Sequence, residues 1–125
     1  MTRTPYTLLI DGYSGAGKTT LALRIGHALG IRVVHMDDFY PGWSGLAEGA
    51  RIVANSVLRT ANPGYQQWDW YQYRPGRWVC LDPEADLIVE GVGAVTAASI
   101  RAAQLRGTVD TLRVELDAQT RQQRA

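Results

Sequence analysis

The chain has 125 residues, with 13 Lys and Arg against 12 Asp and Glu. That length suits one domain, residues 1–125, burying roughly two thirds of its unfolded surface, and no second domain is expected. Near-neutral charge with scattered arginines lacks the basic footprint of a nucleic-acid binder, and a single cysteine, Cys80, excludes an internal disulfide.

In chain order, the apolar run at the amino terminus (Leu8, Leu9, Ile10) is too short for a signal peptide or a membrane helix. No membrane partner and a cytoplasmic location are expected. Residues 6–11 are apolar at successive positions, the pattern of a strand covered on both faces. DGYSGAGKTT follows, residues 11–20, spelling Gly12-x-x-x-x-Gly17-Lys18-Thr19. A strand that stops at a glycine-rich turn and restarts as a helix leaves several backbone N–H groups aimed into one concavity, where phosphate binds. Gly12, Ser14, Gly15, Ala16, Gly17, Lys18, Thr19 and Thr20 form this candidate nucleotide cradle. Lys18 is expected to reach the terminal phosphates and Thr19 to ligate Mg²⁺. Lys18 is the only lysine in the chain, and the other twelve basic residues are arginine. A compact ammonium on a flexible stem suits this place where a planar guanidinium does not.

Leu21, Ile25, Ala28 and Leu29 continue as an apolar helical pattern. Residues 31–36 (IRVVHM) form a second strand, and a crossover of this length makes the two strands parallel, so the fold class is α/β. The second strand ends at Asp37-Asp38-Phe39-Tyr40-Pro41-Gly42, leaving two carboxylates on the rim where open parallel sheets bind ligands. Leu46, Ala50, Val53 and Val57 repeat at helical spacing. The pattern then dissolves over residues 60–82, an aromatic, polar segment with Trp68, Trp70 and Trp78 that is too long for an idle loop. Residues 86–90 (DLIVE) read as a third parallel strand delivering Glu90 to the same rim. Residues 96–105 are expected to be helical. Residues 111–116 alternate Leu112, Val114 and Leu116 with Arg113 and Glu115, a strand buried on one face. Asp117 is placed to cap a last helix carrying Arg121 and Arg124. Cys80 is expected to be a buried small hydrophobe, and His27 and His35 to be packed or hydrogen-bonded.

Four pieces in this order, DGYSGAGKTT, MDDFY, the segment holding Trp68-Asp69-Trp70, and LIVEG, resemble the uridine kinase family of P-loop nucleoside kinases over most of residues 8–124. The resemblance implies a P-loop NTPase-type three-layer sandwich with a parallel sheet, the strand ending in Glu90 lying between the first two. It implies a catalytic base at Asp37 for a nucleoside 5′-hydroxyl, with Asp38 left as the alternative because a serine is common at its position. It implies Asp69 on the sugar hydroxyls and Glu90 near Mg²⁺. The acceptor side is accordingly assigned to Asp37, Tyr40, Trp68 and Asp69, and the catalytic pair to Lys18 and Asp37. Relatives carry further lid arginines and another strand beyond the fourth, so the chain is expected to be truncated there.

ATP and Mg²⁺ are the expected cofactors, and a small-molecule acceptor and a second copy of the chain the expected partners. Two alternatives stay open. The acceptor is another small metabolite, or the chain is a nucleotide-binding module without catalysis. For the tryptophans and Tyr65, Tyr71 and Tyr73, stacking on a base competes with forming a satellite core. For Asp69, anchoring a ligand competes with pairing to Arg74 or Arg77.

Overall fold

A computed structural model describes residues 4–13, 15–42 and 45–115. Strand β1 (Tyr6–Gly12) is flanked on both sides by parallel neighbours, β5 (Leu87–Glu90) and β6 (Thr108–Val114), and β2 (Arg32–His35) pairs with the far side of β5. The order is β2-β5-β1-β6, all parallel, with β5 between the first two strands as the resemblance implied.

The unbroken apolar runs of β1 and β5 follow from burial on both faces. Along β1, Leu8 and Ile10 face helix α1 (Lys18–Leu29), packing with Ala22 and Ile88. Leu9 points the other way, into a larger cluster with Val34, Met36, Phe39, Val53, Val57 and Val89. This period-2 alternation gives the sheet two cores and the molecule three layers. The second outer layer is helix α2 (Leu46–Ile52), continued by a π-helical turn (Val53–Val57), and helix α3 (Ala97–Arg106). Val53 and Val57 are buried as their spacing required, while Leu46 at the helix start is 49% exposed. Helix α3 starts with a reciprocal cap, in which the Ser99 amide donates to Thr96 Oγ1 at 3.0 Å and the Thr96 amide to Ser99 Oγ at 2.9 Å.

Several expectations are corrected. Residues 60–82 hold two antiparallel strands, β3 (Gly64–Asp69) and β4 (Arg74–Cys80), paired only with each other. Their residues are mostly half-buried or exposed, so no alternation marks them, and Pro75 and Gly76 argue locally against a strand. Cys80 is exposed, because β4 belongs to this ribbon and not to the core. His27 is exposed in the last turn of α1. The fourth strand of the sheet begins at Thr108, three residues before its expected start, and Leu112 is 38% exposed although Val114 packs against the α1-side cluster. It is an edge strand, and α1 lies over β1, β2 and β5. Leu116 and the helix expected after Asp117, with Arg121 and Arg124, lie outside the described residues. Among the described residues no helix is long and apolar enough to cross a membrane.

Candidate active site at the C-terminal rim of the sheet

The site is assembled by strand ends. After β1 the chain turns through Gly15 (φ +80°) and Gly17 (φ +96°), left-handed conformations that side-chain-bearing residues rarely adopt, and α1 starts at Lys18. A Cβ added at either glycine would meet nothing within 4 Å, and both glycines line the cavity beside Lys18. Ser14 lies outside the described residues. Gly12 closes β1 and Ala16 is buried, so both shape the turn from behind.

Lys18 is buried, and its Nζ donates to the Tyr13 carbonyl at 2.7 Å. The ammonium has two further donors, and the side chain lines the cavity next to it. Thr19 Oγ1 donates to Glu90 Oε2 at 2.9 Å, committing the hydroxyl proton to the carboxylate and turning the oxygen lone pairs elsewhere. Glu90 is buried at the end of β5. Directly opposite it in the β2–β5 register stands His35, whose Nδ1 donates to the same Oε2 at 2.5 Å. His35 is therefore hydrogen-bonded, as expected, but its partner could be found only once the register was known.

A short 3₁₀ turn, Met36–Asp38, follows β2 and separates the two carboxylates. Asp37 lines a cavity of about 270 Å³ with Gly15, Gly17, Lys18, Thr19, Thr20, Glu90, Gly91 and Val92. Asp38 instead lines a second cavity, about 440 Å³, with Gln67, Trp68, Asp69, Trp70, Gly76 and Arg77 of the hairpin. Desolvation raises the Asp38 carboxyl above its ordinary pKa. His35 opposes that shift, and the carboxylates of Asp37 and Glu90 add to it.

Tyr40 does not line either of these cavities. It is buried, and its hydroxyl donates to the Val92 carbonyl at 2.7 Å, holding from behind a residue that forms the floor of the first. Burial, with the charges of Asp37 and Glu90, pushes its phenol far above the usual value. Trp68 packs edge-on against Tyr73 (5.2 Å, 84°) and Trp70 (6.4 Å, 77°) while also lining the hairpin cavity, so satellite packing and a cavity wall coexist in one residue. Tyr71 is fully exposed and Tyr65 is in the core. Asp69 Oδ1 accepts from the amides of Tyr71 (2.9 Å) and Gln72 (3.0 Å), closing the hairpin turn, and although Arg74 is its cross-strand neighbour its carboxylate forms no ion pair with Arg74 or Arg77.

Sequence reasoning missed Asp11 as a builder of the site. Buried at the end of β1, it accepts from the amides of Gly12 (2.7 Å), Gly93 (3.1 Å) and Val95 (2.9 Å), tying the loop after β5 to the start of the glycine turn. The available signal was a carboxylate ending a wholly apolar strand, since such a group is seldom buried without partners.

The open glycine turn, the Lys18 ammonium and the oriented Thr19 hydroxyl fit a nucleoside triphosphate with a divalent cation. The Thr19 hydroxyl beside the Glu90 carboxylate is an all-oxygen donor pair of the kind that fits Mg²⁺ shared with phosphate oxygens and water.

No protein-family model matches the chain, and neither does any curated protein. Among solved structures it is similar to a possible uridine kinase from Bacillus stearothermophilus, with a TM-score of 0.66 and 18% identity over 96% of this chain and 76% of the other. This likeness shows the fold: an α/β sandwich with a parallel sheet between two helical layers.

Proposed function

We propose that the protein is an ATP-dependent kinase acting on a hydroxyl of a small molecule, and that the acceptor is the 5′-hydroxyl of a nucleoside. One observation carries this: a single cavity gathers Lys18, Thr19, Asp37 and Glu90 from three separate stretches of chain. Phosphoryl transfer requires the donor phosphates to be held, the charge on the transferring group to be offset and the acceptor oxygen to lie in line. The amides of the glycine turn and Lys18 serve the first two needs. Bound Mg²⁺ would supply further charge neutralisation on the phosphates, held by Thr19 Oγ1 and, through water, by Glu90. Asp37 takes the acceptor proton as the oxygen–phosphorus bond forms and the bond from phosphorus to the β,γ-bridging oxygen breaks. The hairpin cavity beside Asp38, with Trp68 and Asp69, takes the acceptor. A cytoplasmic location, without nucleic-acid or membrane partners, belongs to the same proposal.

The test is ADP release over a panel of nucleosides and sugars with Mg·ATP. Lys18→Ala should abolish measurable transfer, and Asp37→Asn should lower kcat by about 10²–10⁴-fold. An Asp37→Asn enzyme as fast as the wild type would remove the base. The polar lining of the hairpin cavity (Asp38, Gln67, Asp69, Arg77) also suits a polyhydroxylated acceptor other than a nucleoside, and the panel separates the two. Stabilisation by ATP without turnover on any acceptor would instead mark a nucleotide-binding module.

A further inference from the structure

The hairpin does more than wall a cavity. Trp70, the first residue after β3, donates its indole Nε1–H to the main-chain carbonyl of Asp37 at 2.9 Å, across 33 positions of sequence. The same ring lines the hairpin cavity and packs edge-on against Trp68 and Tyr73. The turn it grips is short. Within Met36–Asp38 and the residues after it, the amides of Phe39 (3.0 Å) and Tyr40 (3.1 Å) both go to the Met36 carbonyl, leaving the Asp37 carbonyl to the indole. A single 3₁₀ turn has poor internal hydrogen-bond geometry and little rigidity of its own. Without that anchor the turn is free to shift against the sheet, and the Asp37 Cα and carboxylate shift with it relative to the cavity shared with Lys18. A second contact secures the far end of the connector. A Cβ added at Gly42 would come within 2.5 Å of the Tyr73 hydroxyl, so the hairpin tip rests on the chain at both Asp37 and Gly42.

We infer that Trp70 is a positioning residue: its indole N–H fixes the peptide that carries Asp37, so the hairpin that walls the acceptor cavity also aims the base. The inference rests on the proposed role of Asp37. Entry of an acceptor against the Trp70 ring then steadies the group that will take its proton, linking recognition to proton transfer through one side chain.

The test uses the full chain, Mg·ATP and whichever acceptor of the panel gives the fastest ADP release. Two changes at position 70 remove the donor: Trp70→Phe, and replacement of the indole by benzothiophene, which keeps both rings and loses only the N–H. Each should lower kcat by roughly 10–100-fold, the scale of a misplacement near 1 Å, with KM for ATP unchanged. The same changes in an Asp37→Asn background should cost nothing further, because the group being aimed is gone. A residue that merely supports the fold would instead give losses that multiply in both backgrounds. If Trp70→Phe fails to fold, the benzothiophene variant decides. Full activity of that variant, or multiplicative losses, overturns the inference while leaving the proposed function intact. Full activity of Asp37→Asn alone overturns both the inference and the proposed role of Asp37 as base.

Discussion

At the scale of single residues, the site depends on what each carboxylate is asked to hold. Glu90 Oε2 takes two donors, Thr19 Oγ1 and His35 Nδ1, so its buried carboxylate is held by hydrogen bonds from two elements. Asp38 is treated in the opposite way. It loses solvent against the hairpin and lies near two other carboxylates, with only His35 in opposition, so its folded-state pKa rises above the ordinary 3.8. For a carboxyl with a raised folded pKa, the favourable contribution to folding is complete below the unfolded value and is lost as pH climbs through the folded one. Asp38→Asn should therefore match the wild type in urea midpoint below about pH 4 and become progressively more stable than it as pH rises towards neutrality. A difference that did not change with pH would show that Asp38 is not perturbed in the fold. Lys18 and Thr19 were legible in the sequence because motif spacing places them at the start of a helix, and the position of Glu90 because it ends an apolar run. The pairing of His35 with Glu90 was not, since it is a property of strand register and not of either strand alone.

At the scale of elements, the parallel strands were legible and the antiparallel pair was not, for one physical reason. Strands covered on both faces must be continuously apolar, and β1 and β5 are. The ribbon β3–β4 is stabilised by its own ladder and by mutual packing of Trp68, Trp70 and Tyr73, which imposes no pattern that a window of sequence would register. Helix α3 was expected over residues 96–105, but neither its reciprocal cap nor its tether to the rest of the molecule was read from the sequence. Arg106, buried in its last turn, donates to Thr7 Oγ1 at 2.6 Å and to the Ala85 carbonyl at 2.9 Å, joining α3 to the start of β1 and to the turn before β5. Burial lowers its pKa, while the charges of Asp86 and Asp82 oppose that shift. Arg106→Met should retain the packing of the stem and orphan both acceptors, costing about 2–3 kcal/mol in chemical denaturation, with the m-value unchanged. A loss below about 0.5 kcal/mol would mean that water replaces the guanidinium at no penalty and that the tether is ornamental.

At the scale of the whole molecule, the strand order builds the candidate site by bringing three chain segments to one rim. With β5 between β1 and β2, the glycine turn after β1, Glu90 at the end of β5 and the Asp37 turn after β2 converge although 75 positions separate Gly15 from Glu90. That convergence was foreseeable from the order of apolar runs and from the family resemblance. The exposure of β6 was not, because its alternation of Leu112 and Val114 reports the period of a strand and not whether a layer covers it. A ligand that bridges the rim should tighten the whole sheet, since binding only to the folded state adds about 2.7 kcal/mol when its concentration is a hundred times Kd. For a chain of this length, with an unfolding entropy of about 2.1 cal/mol/K per residue, that raises Tm by about 10 °C. Mg·ADP should produce this shift in the wild type, and ADP without Mg²⁺ should produce a smaller one, because Thr19 then has no cation to share. Lys18→Ala should remove most of the shift while moving the ligand-free Tm by only a few degrees, about the scale expected for losing its one bond to the Tyr13 carbonyl. A wild-type protein whose Tm ignored Mg·ADP at millimolar concentration would reduce the glycine turn to a helix cap, and the convergence of strand ends on it would have no ligand to explain.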